Sequence, residues 1–366
     1  MPRKLEPDYR ILACVVALVL IGMVMVFSAS GTVAGAKYGD TGYFLKRQLL
    51  WAVLGFAGMY VTMRMDYRKL AGMAPYLYIT SVVLLFLVLI PGIGKEVSGA
   101  RRWLSFGGMT FQPSEFAKLA LIVAFSHFLV KKENAGRLKD FVTGYMPNAI
   151  ALGVCFVLVL LQPDMGTSVI AALVVFFLFF ISGIRFSFIL GTFLMLLPFF
   201  YVAVINVAYR RRRILSFLDP WADPSDTGFQ IIQSYIAFGN GHIFGMGLGQ
   251  GRQKNFFLPE AHTDFIFSII GEEFGFAGCA LIVILFAIFV YLGFKTAMKA
   301  PEPFGMYLAA GITASVGLQA IVNFGVATGL LPTKGLPLPF ISLGGSALVM
   351  WLVSVGILLN VSQHKT

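Results

Sequence analysis

The chain is short of charge. Of its 366 residues only 12% are Asp, Glu, Lys or Arg, and only 17 are acidic. A water-soluble protein carries about twice that share, so a set of soluble domains is excluded. Cysteine is scarce as well: Cys14, Cys155 and Cys279 lie far apart, each inside an apolar run, so neither a disulfide framework nor a thiolate cluster is indicated and all three read as packing residues. The four histidines, His127, His242, His262 and His364, do not recur on successive helical turns, which argues against a zinc site. Internal repeats and low-complexity tracts are lacking too.

What is abundant is apolar: 58% of residues are hydrophobic, and mean hydropathy is positive. With about 20 apolar residues needed to cross a bilayer, ten spans are predicted, near 11–30, 47–64, 70–92, 113–131, 142–162, 165–182, 186–208, 264–294, 304–330 and 341–362. The first follows a basic stretch in the manner of a signal peptide, but it is long enough to span and reads as a retained helix. The predicted fold class is an all-α polytopic membrane protein, one membrane domain over 1–366 with a long hydrophilic loop at 209–263.

An even number of spans puts both termini on one side. Of the 28 Lys and Arg, 14 fall on that side and 13 on the other, six of these within 209–263. Long loops cross regardless of charge, and the short loops then favour cytoplasmic termini. The outward cations point to an anionic ligand on the far side. The loop itself holds Phe217, Trp221, Phe229, Ile231, Ile232, Tyr235, Ile236 and Phe238. That composition favours order over disorder, with a short amphipathic helix expected over 231–238 at the membrane surface.

Five groups fall at the outer ends of spans. Gly99-Ala100-Arg101-Arg102-Trp103 precedes Gln112-Pro113-Ser114-Glu115, where Pro113 suits a first helical turn and Glu115 and Lys118 share a face. That pair is either a structural ion pair or the lining of an open cavity. Gln162-Pro163-Asp164-Met165-Gly166-Thr167 breaks two spans, with Asp164 a helix cap or a site residue. Arg210-Arg211-Arg212-Arg213 is a solvated face or a phosphate grip. The stretch 239–251 holds six glycines but lacks a preceding strand and a closing Lys-Ser/Thr, so no nucleotide loop is supported. It is a flexible connection or a turn whose N–H groups approach an anion. Last, Asp264 stands at the threshold of the eighth span after Pro259-Glu260-Ala261-His262-Thr263. A carboxylate there is costly to keep charged and marks a functional site by default. Glu272, Glu273, Lys334 and the run to Ser342 are expected to close a polar pocket with it.

Taken together these motifs, with Pro337-Leu338-Pro339-Phe340-Ile341-Ser342 and Gly344-Gly345-Ser346, resemble the SEDS family, the FtsW, RodA and SpoVE group that polymerises bacterial peptidoglycan. The resemblance covers essentially the whole chain. The segments 259–262 and 331–337 read more like its division members than its elongation members, while Leu343 stands where the family often has Tyr. The resemblance implies a peptidoglycan glycosyltransferase that joins lipid II onto a glycan on undecaprenyl pyrophosphate, with inversion. It places Asp264 as general base and Glu115 and Lys118 as its catalytic companions. It places Arg101, Arg102, Trp103, Gln112, Ser114, Asp164, Arg210, His262, Thr263, Lys334 and Ser342 in substrate binding. No cofactor is certain; a divalent cation such as Mg is compatible with carboxylates near phosphates. Implied partners are a class B penicillin-binding transpeptidase (FtsI-like) and other divisome membrane proteins, at the septum of the bacterial inner membrane, with no nucleic acid. A lipid II flippase and a transpeptidase scaffold are the alternatives, although the polar residues cluster at span ends rather than at the midplane a transporter uses.

Overall fold

The computed structural model describes residues 6–364 apart from Ser98, Gly108, Val207 and Thr227; for Val97, Phe106, Met109, Phe199, Phe200, Ile214 and residues 202–205 and 208–210 the backbone alone is described. Each predicted span is met by a helix. The first three are α1 (Tyr9–Tyr38), α2 (Tyr43–Arg64) and α3 (Lys69–Leu87). A small sheet follows, then α4 (Pro113–Asn134), α5 (Met146–Leu161), α6 (Met165–Ile181) and α7 (Phe186–Ile205). The long loop contributes α8 (Ala208–Leu218) and α9 (Phe229–Gly241), and α10 (Ile266–Met298), α11 (Pro303–Ala327) and α12 (Gly345–Ser362) close the chain. Among the described residues, seven helical stretches are long and apolar enough to cross a membrane, and two shorter apolar helices, Met165–Ile181 and Phe186–Pro198, accompany them. This is a polytopic helical membrane protein; length and composition alone do not reach the expected ten, because α6 is short and α2 carries Lys46, Arg47 and Arg64.

The sheet departs from the all-helical expectation. Strands β1 (Gly94–Val97), β2 (Ala100–Phe106) and β3 (Met109–Phe111) form an antiparallel meander, with Lys95 opposite Trp103 and Ser105 opposite Thr110. It ties down the Arg101-Arg102-Trp103 motif and leads directly into α4.

Small residues set the helix packing, as expected where lipid gives helices no hydrophobic reason to associate. On α2 and α12 the helices approach so closely that a Cβ on Gly55 would lie 2.5 Å from Leu352 Cδ1, and Thr62 Oγ1 donates to the Val353 carbonyl at 3.1 Å.

The longest helix, α10, is broken at Gly275 (φ 64°, ψ −162°). A break in a membrane helix strands backbone groups that must be satisfied by protein. Here residues 242–247 do so: the N–H groups of Met246 and Gly247 donate to the carbonyls of Glu272 and Glu273, both at 3.0 Å, and the N–H groups of Phe276 and Ala277 donate to those of His242 and Ile243 at 2.9 and 3.0 Å. Approach this close needs glycine, since a Cβ at Gly241 would fall 1.8 Å from the Gly271 carbonyl oxygen. The glycine-rich stretch is therefore a docked turn.

Candidate active site

The turn 259–265 delivers Asp264 to the start of α10, and it is fastened carbonyl by carbonyl. The His262 carbonyl accepts from the Leu343 N–H (3.0 Å), that of Thr263 from Ser342 Oγ (2.5 Å), and that of Asp264 from Asn323 Nδ2 (2.8 Å). Gly335 lies against the carboxylate; a Cβ there would stand 3.0 Å from Asp264 Oδ2. Asp264 keeps part of its surface open, yet protein crowds it closely, and that burial pushes its pKa up to about 7. The charge of Glu260 raises it further, Arg213 opposes, Asp164 raises it and Arg102 opposes. Thr263 Oγ1 holds Glu260 in turn, donating to Oε2 at 2.7 Å.

The break between α5 and α6 brings Asp164 to the same place. Its Oδ1 caps α6 by accepting the Thr167 N–H at 3.1 Å, and its Oδ2 accepts from Gln112 Nε2 at 3.2 Å. The same amide donates to Ser114 Oγ at 3.0 Å. Arg102, on β2, covers the end of α5: its guanidinium donates to the Gln162 carbonyl at 3.0 Å and to that of Pro163. Across from it, the 333–338 loop is held by Arg213, whose Nη1 donates to the Thr333 carbonyl at 3.3 Å, and Leu336 fills the space a Cβ on Gly166 would need. Lys334 is half-buried, and that burial lowers its pKa while the charge of Asp164 raises it. Three carboxylates, Asp264, Glu260 and Asp164, and three basic side chains, Arg102, Arg213 and Lys334, thus share one locality where β2, α8 and the 333–338 loop meet the start of α6 and the turn before α10.

Other expected site residues sit apart. Arg101 is exposed and pairs with Glu96 at 3.1 Å. Trp103 is half-buried on β2. Glu115 and Lys118 form a 2.9 Å ion pair with side chains only 3% and 5% exposed, inside the bundle rather than on an open surface. Lys118 also donates to Gln319 Oε1 at 2.8 Å and lies 4.4 Å above the Trp351 ring. The pair reaches the site through Gln319, whose Nε2 donates to the Pro337 carbonyl at 2.8 Å. His262 is packed on Phe44, ring centres 5.2 Å apart, and burial lowers its pKa against the opposing charge of Glu260. Ser342 spends its hydroxyl on backbone, accepting the Leu338 N–H at 2.8 Å besides donating to Thr263. The Arg210 side chain lies outside the described residues.

Glu272 and Glu273 do not join the pocket expected of them. Both are buried at the α10 break, where Glu272 accepts the N–H groups of Arg252 (2.9 Å) and Gln253, and Glu273 accepts from Lys254 Nζ (2.6 Å) and Ser28 Oγ (2.7 Å). The backbone N–H groups that approach a carboxylate here thus follow the glycine-rich stretch, and the carboxylate is the protein's own Glu272. Among the described residues no three His, Cys, Asp or Glu side chains converge as a metal site. Gln319 and Asn323 belong to none of the five motif groups; their signal in the sequence is two amides one turn apart in an otherwise apolar span.

The family model described as cell cycle protein, which covers FtsW, RodA and SpoVE, matches residues 9–366. The chain is 51% identical over 357 residues to a probable peptidoglycan glycosyltransferase FtsW of Geobacter metallireducens, covering 98% of this chain and 95% of that one. It is 42% identical to the stage V sporulation protein E of Bacillus subtilis, covering 99% of each. Among solved structures it resembles a chain from work described as structural coordination of polymerization and crosslinking by a peptidoglycan synthase complex (TM-score 0.78, 31% identity, 97% of each chain). It also resembles the rod shape determining protein RodA of Thermus thermophilus (TM-score 0.73, 29% identity, 98% of this chain and 97% of that one).

Proposed function

The chain belongs to the SEDS family of FtsW, RodA and SpoVE and is a peptidoglycan glycosyltransferase of the FtsW type, and from that premise we propose that Asp264 is the general base of glycosyl transfer. The observation that carries this is the rigidly held, half-buried carboxylate with a pKa of about 7 beside Arg213, Arg102 and Asp164. A base is most effective when its pKa lies near the working pH, where it contributes about 10² to 10⁴ in rate.

In the reaction the 4-hydroxyl of an incoming lipid II sugar attacks the anomeric carbon of the glycan on undecaprenyl pyrophosphate. Its proton passes to Asp264, the bond from anomeric carbon to phosphate oxygen breaks, and undecaprenyl pyrophosphate leaves with the electron pair. An α-linked donor becomes a β-linked product in one in-line displacement, so no second carboxylate nucleophile is required. Arg101, Arg210 and Lys334 are proposed to meet the pyrophosphate, for which fork-shaped guanidinium groups are well suited. Arg102 contributes its charge while its N–H groups hold the α5 end. Trp103, Gln112, Ser114, His262 and Thr263 are proposed to line the cleft, with Asp164 and Ser342 fixing its walls. Glu115 and Lys118 act from beneath, through Gln319.

A flippase would use open helix ends at a break; the four backbone groups freed at Gly275 are instead paired to residues 242–247. We place the termini in the cytoplasm, the site on the outer face of the inner membrane at the division septum, and an FtsI-like class B transpeptidase beside it. The test is glycan-strand formation from purified lipid II by wild type and Asp264→Asn, each with the transpeptidase. Strands from wild type and almost none from the variant are expected; equal strands from both would remove Asp264 from the chemistry.

A further inference from the structure

Asn323 lies on α11, 1% exposed, in the middle of the protein. Its side-chain nitrogen donates twice, to the Asp264 carbonyl and to the Leu336 carbonyl, each at 2.8 Å. Both partners are acceptors, so the nitrogen and not the oxygen must face them. One planar amide group with both N–H bonds committed fixes the distance and angle between two backbone segments. The first is the turn whose side chain is Asp264. The second is the 333–338 loop, which sets Gly335 against Asp264 Oδ2, carries Lys334, and rests Leu336 on Gly166 two residues after Asp164. One turn earlier on α11, Gln319 grips the next carbonyl of that loop, Pro337.

We propose that Asn323 is a positioning residue for glycosyl transfer: its amide clamps the Asp264 turn to the Lys334–Leu336 loop, holding the base and the opposing wall of the cleft at working separation. The inference rests on the reading of Asp264 as base. Asn323 reaches the site through the backbone of its partners. Removing its donors leaves two carbonyls unpaired and lets the turn and the loop drift apart, admitting water to the carboxylate. The groups facing that carboxylate are Glu260 from its own turn, Arg213 from α8, Arg102 from β2 and Asp164 from the α6 cap. None is removed by a change at Asn323, so a shift in its titration reports separation of the two segments.

The experiment is steady-state strand synthesis from lipid II by the full-length protein with its transpeptidase, for wild type, Asp264→Asn and the near-isosteric Asn323→Leu, across pH 5 to 9. Misplacement by about 1 Å costs on the order of 10²-fold in rate, so Asn323→Leu should lose about that in kcat, keep KM within about twofold, and move its acidic limb to lower pH. A purely structural role would lower the amount of folded enzyme without moving the limb. Should Asn323→Leu fail to fold, Asn323→Ala removes the same two donors without adding bulk and should give the same signature. A folded Asn323→Leu, or in its place Asn323→Ala, with wild-type kcat and an unmoved limb overturns the proposal while leaving an inactive Asp264→Asn, and hence the base, standing. Equal activity in Asp264→Asn and wild type would sink both.

Discussion

Lys254 and Glu273 meet at 2.6 Å with side chains 6% and 0% exposed, beside the point where α10 breaks. Ser28 of α1 completes the cluster, bonding both. A buried ion pair adds little net stability, but removing one partner strands the other and costs about 3 to 5 kcal/mol. Lys254→Ala should therefore destabilise the protein by that amount in thermal unfolding in detergent. Lys254→Met with Glu273→Gln should recover most of it, and a double variant no better than the single would contradict the pairing.

The second prediction concerns pH. The Asp264 pKa of about 7 stands above its ordinary 3.8, so between those values the folded protein keeps a proton that the unfolded chain has lost. Its contribution to stability is present in full below about pH 4 and is lost as pH rises through about 7. Asp264→Asn should therefore melt higher than wild type at pH 8 and alike at pH 4, while losing activity at both. Wild-type activity should rise through an acidic limb near pH 7, since the base must be unprotonated. His262→Gln should keep that limb, because burial holds the His262 pKa below 6.5; a limb that vanished with His262 would reassign the base.

The elements legible in the sequence were those governed by local chemistry. Apolar runs placed most helix ends to within about five residues, although α1 continues eight residues past its expected end; Pro113 and Asp164 open α4 and α6 as their types predict, and Asp264 stands just before α10 as the apolar threshold implies. The meander was missed because strands of four, seven and three residues carry too few positions for alternation to stand out. Residues 239–251 were ambiguous for a different reason. Their partners are carbonyls and N–H groups freed by a break more than twenty residues away, and Gly275 is one glycine among 39. Glu272 and Glu273 sit near Asp264 in the sequence, which suggested one pocket; the 252–254 turn claims them instead.

Arg101 and Arg102 are neighbours with opposite employment, and single variants should separate them. Arg101 is exposed on the sheet, so Arg101→Ala should change stability by no more than about 0.5 kcal/mol and raise the KM for lipid II if it meets pyrophosphate. Arg102→Lys loses the fork that reaches two carbonyls. It should destabilise by about 1 to 3 kcal/mol through an unpaired buried acceptor. Unchanged lipid II affinity in Arg101→Ala would remove that residue from the phosphate contacts.

The Glu115–Lys118 pair poses the sharpest question of role, because a lost activity there has two causes that single variants confuse. With both side chains buried, Lys118→Ala strands a carboxylate and should destabilise by about 3 to 5 kcal/mol, and it also releases Gln319 from one side. An inactive Lys118→Ala would therefore say nothing about chemistry. The informative variant is Glu115→Gln with Lys118→Met, which removes both charges, keeps volume nearly constant, and leaves Gln319 free to hold Pro337. If the pair acts only from beneath the site, the double variant should melt close to wild type and retain activity within about tenfold, well short of the ~10² to 10⁴ expected for losing a base. A well-folded double variant as inactive as Asp264→Asn would instead mean that the reaction draws on the charges themselves, and the pair would then belong with Asp264 in the chemistry.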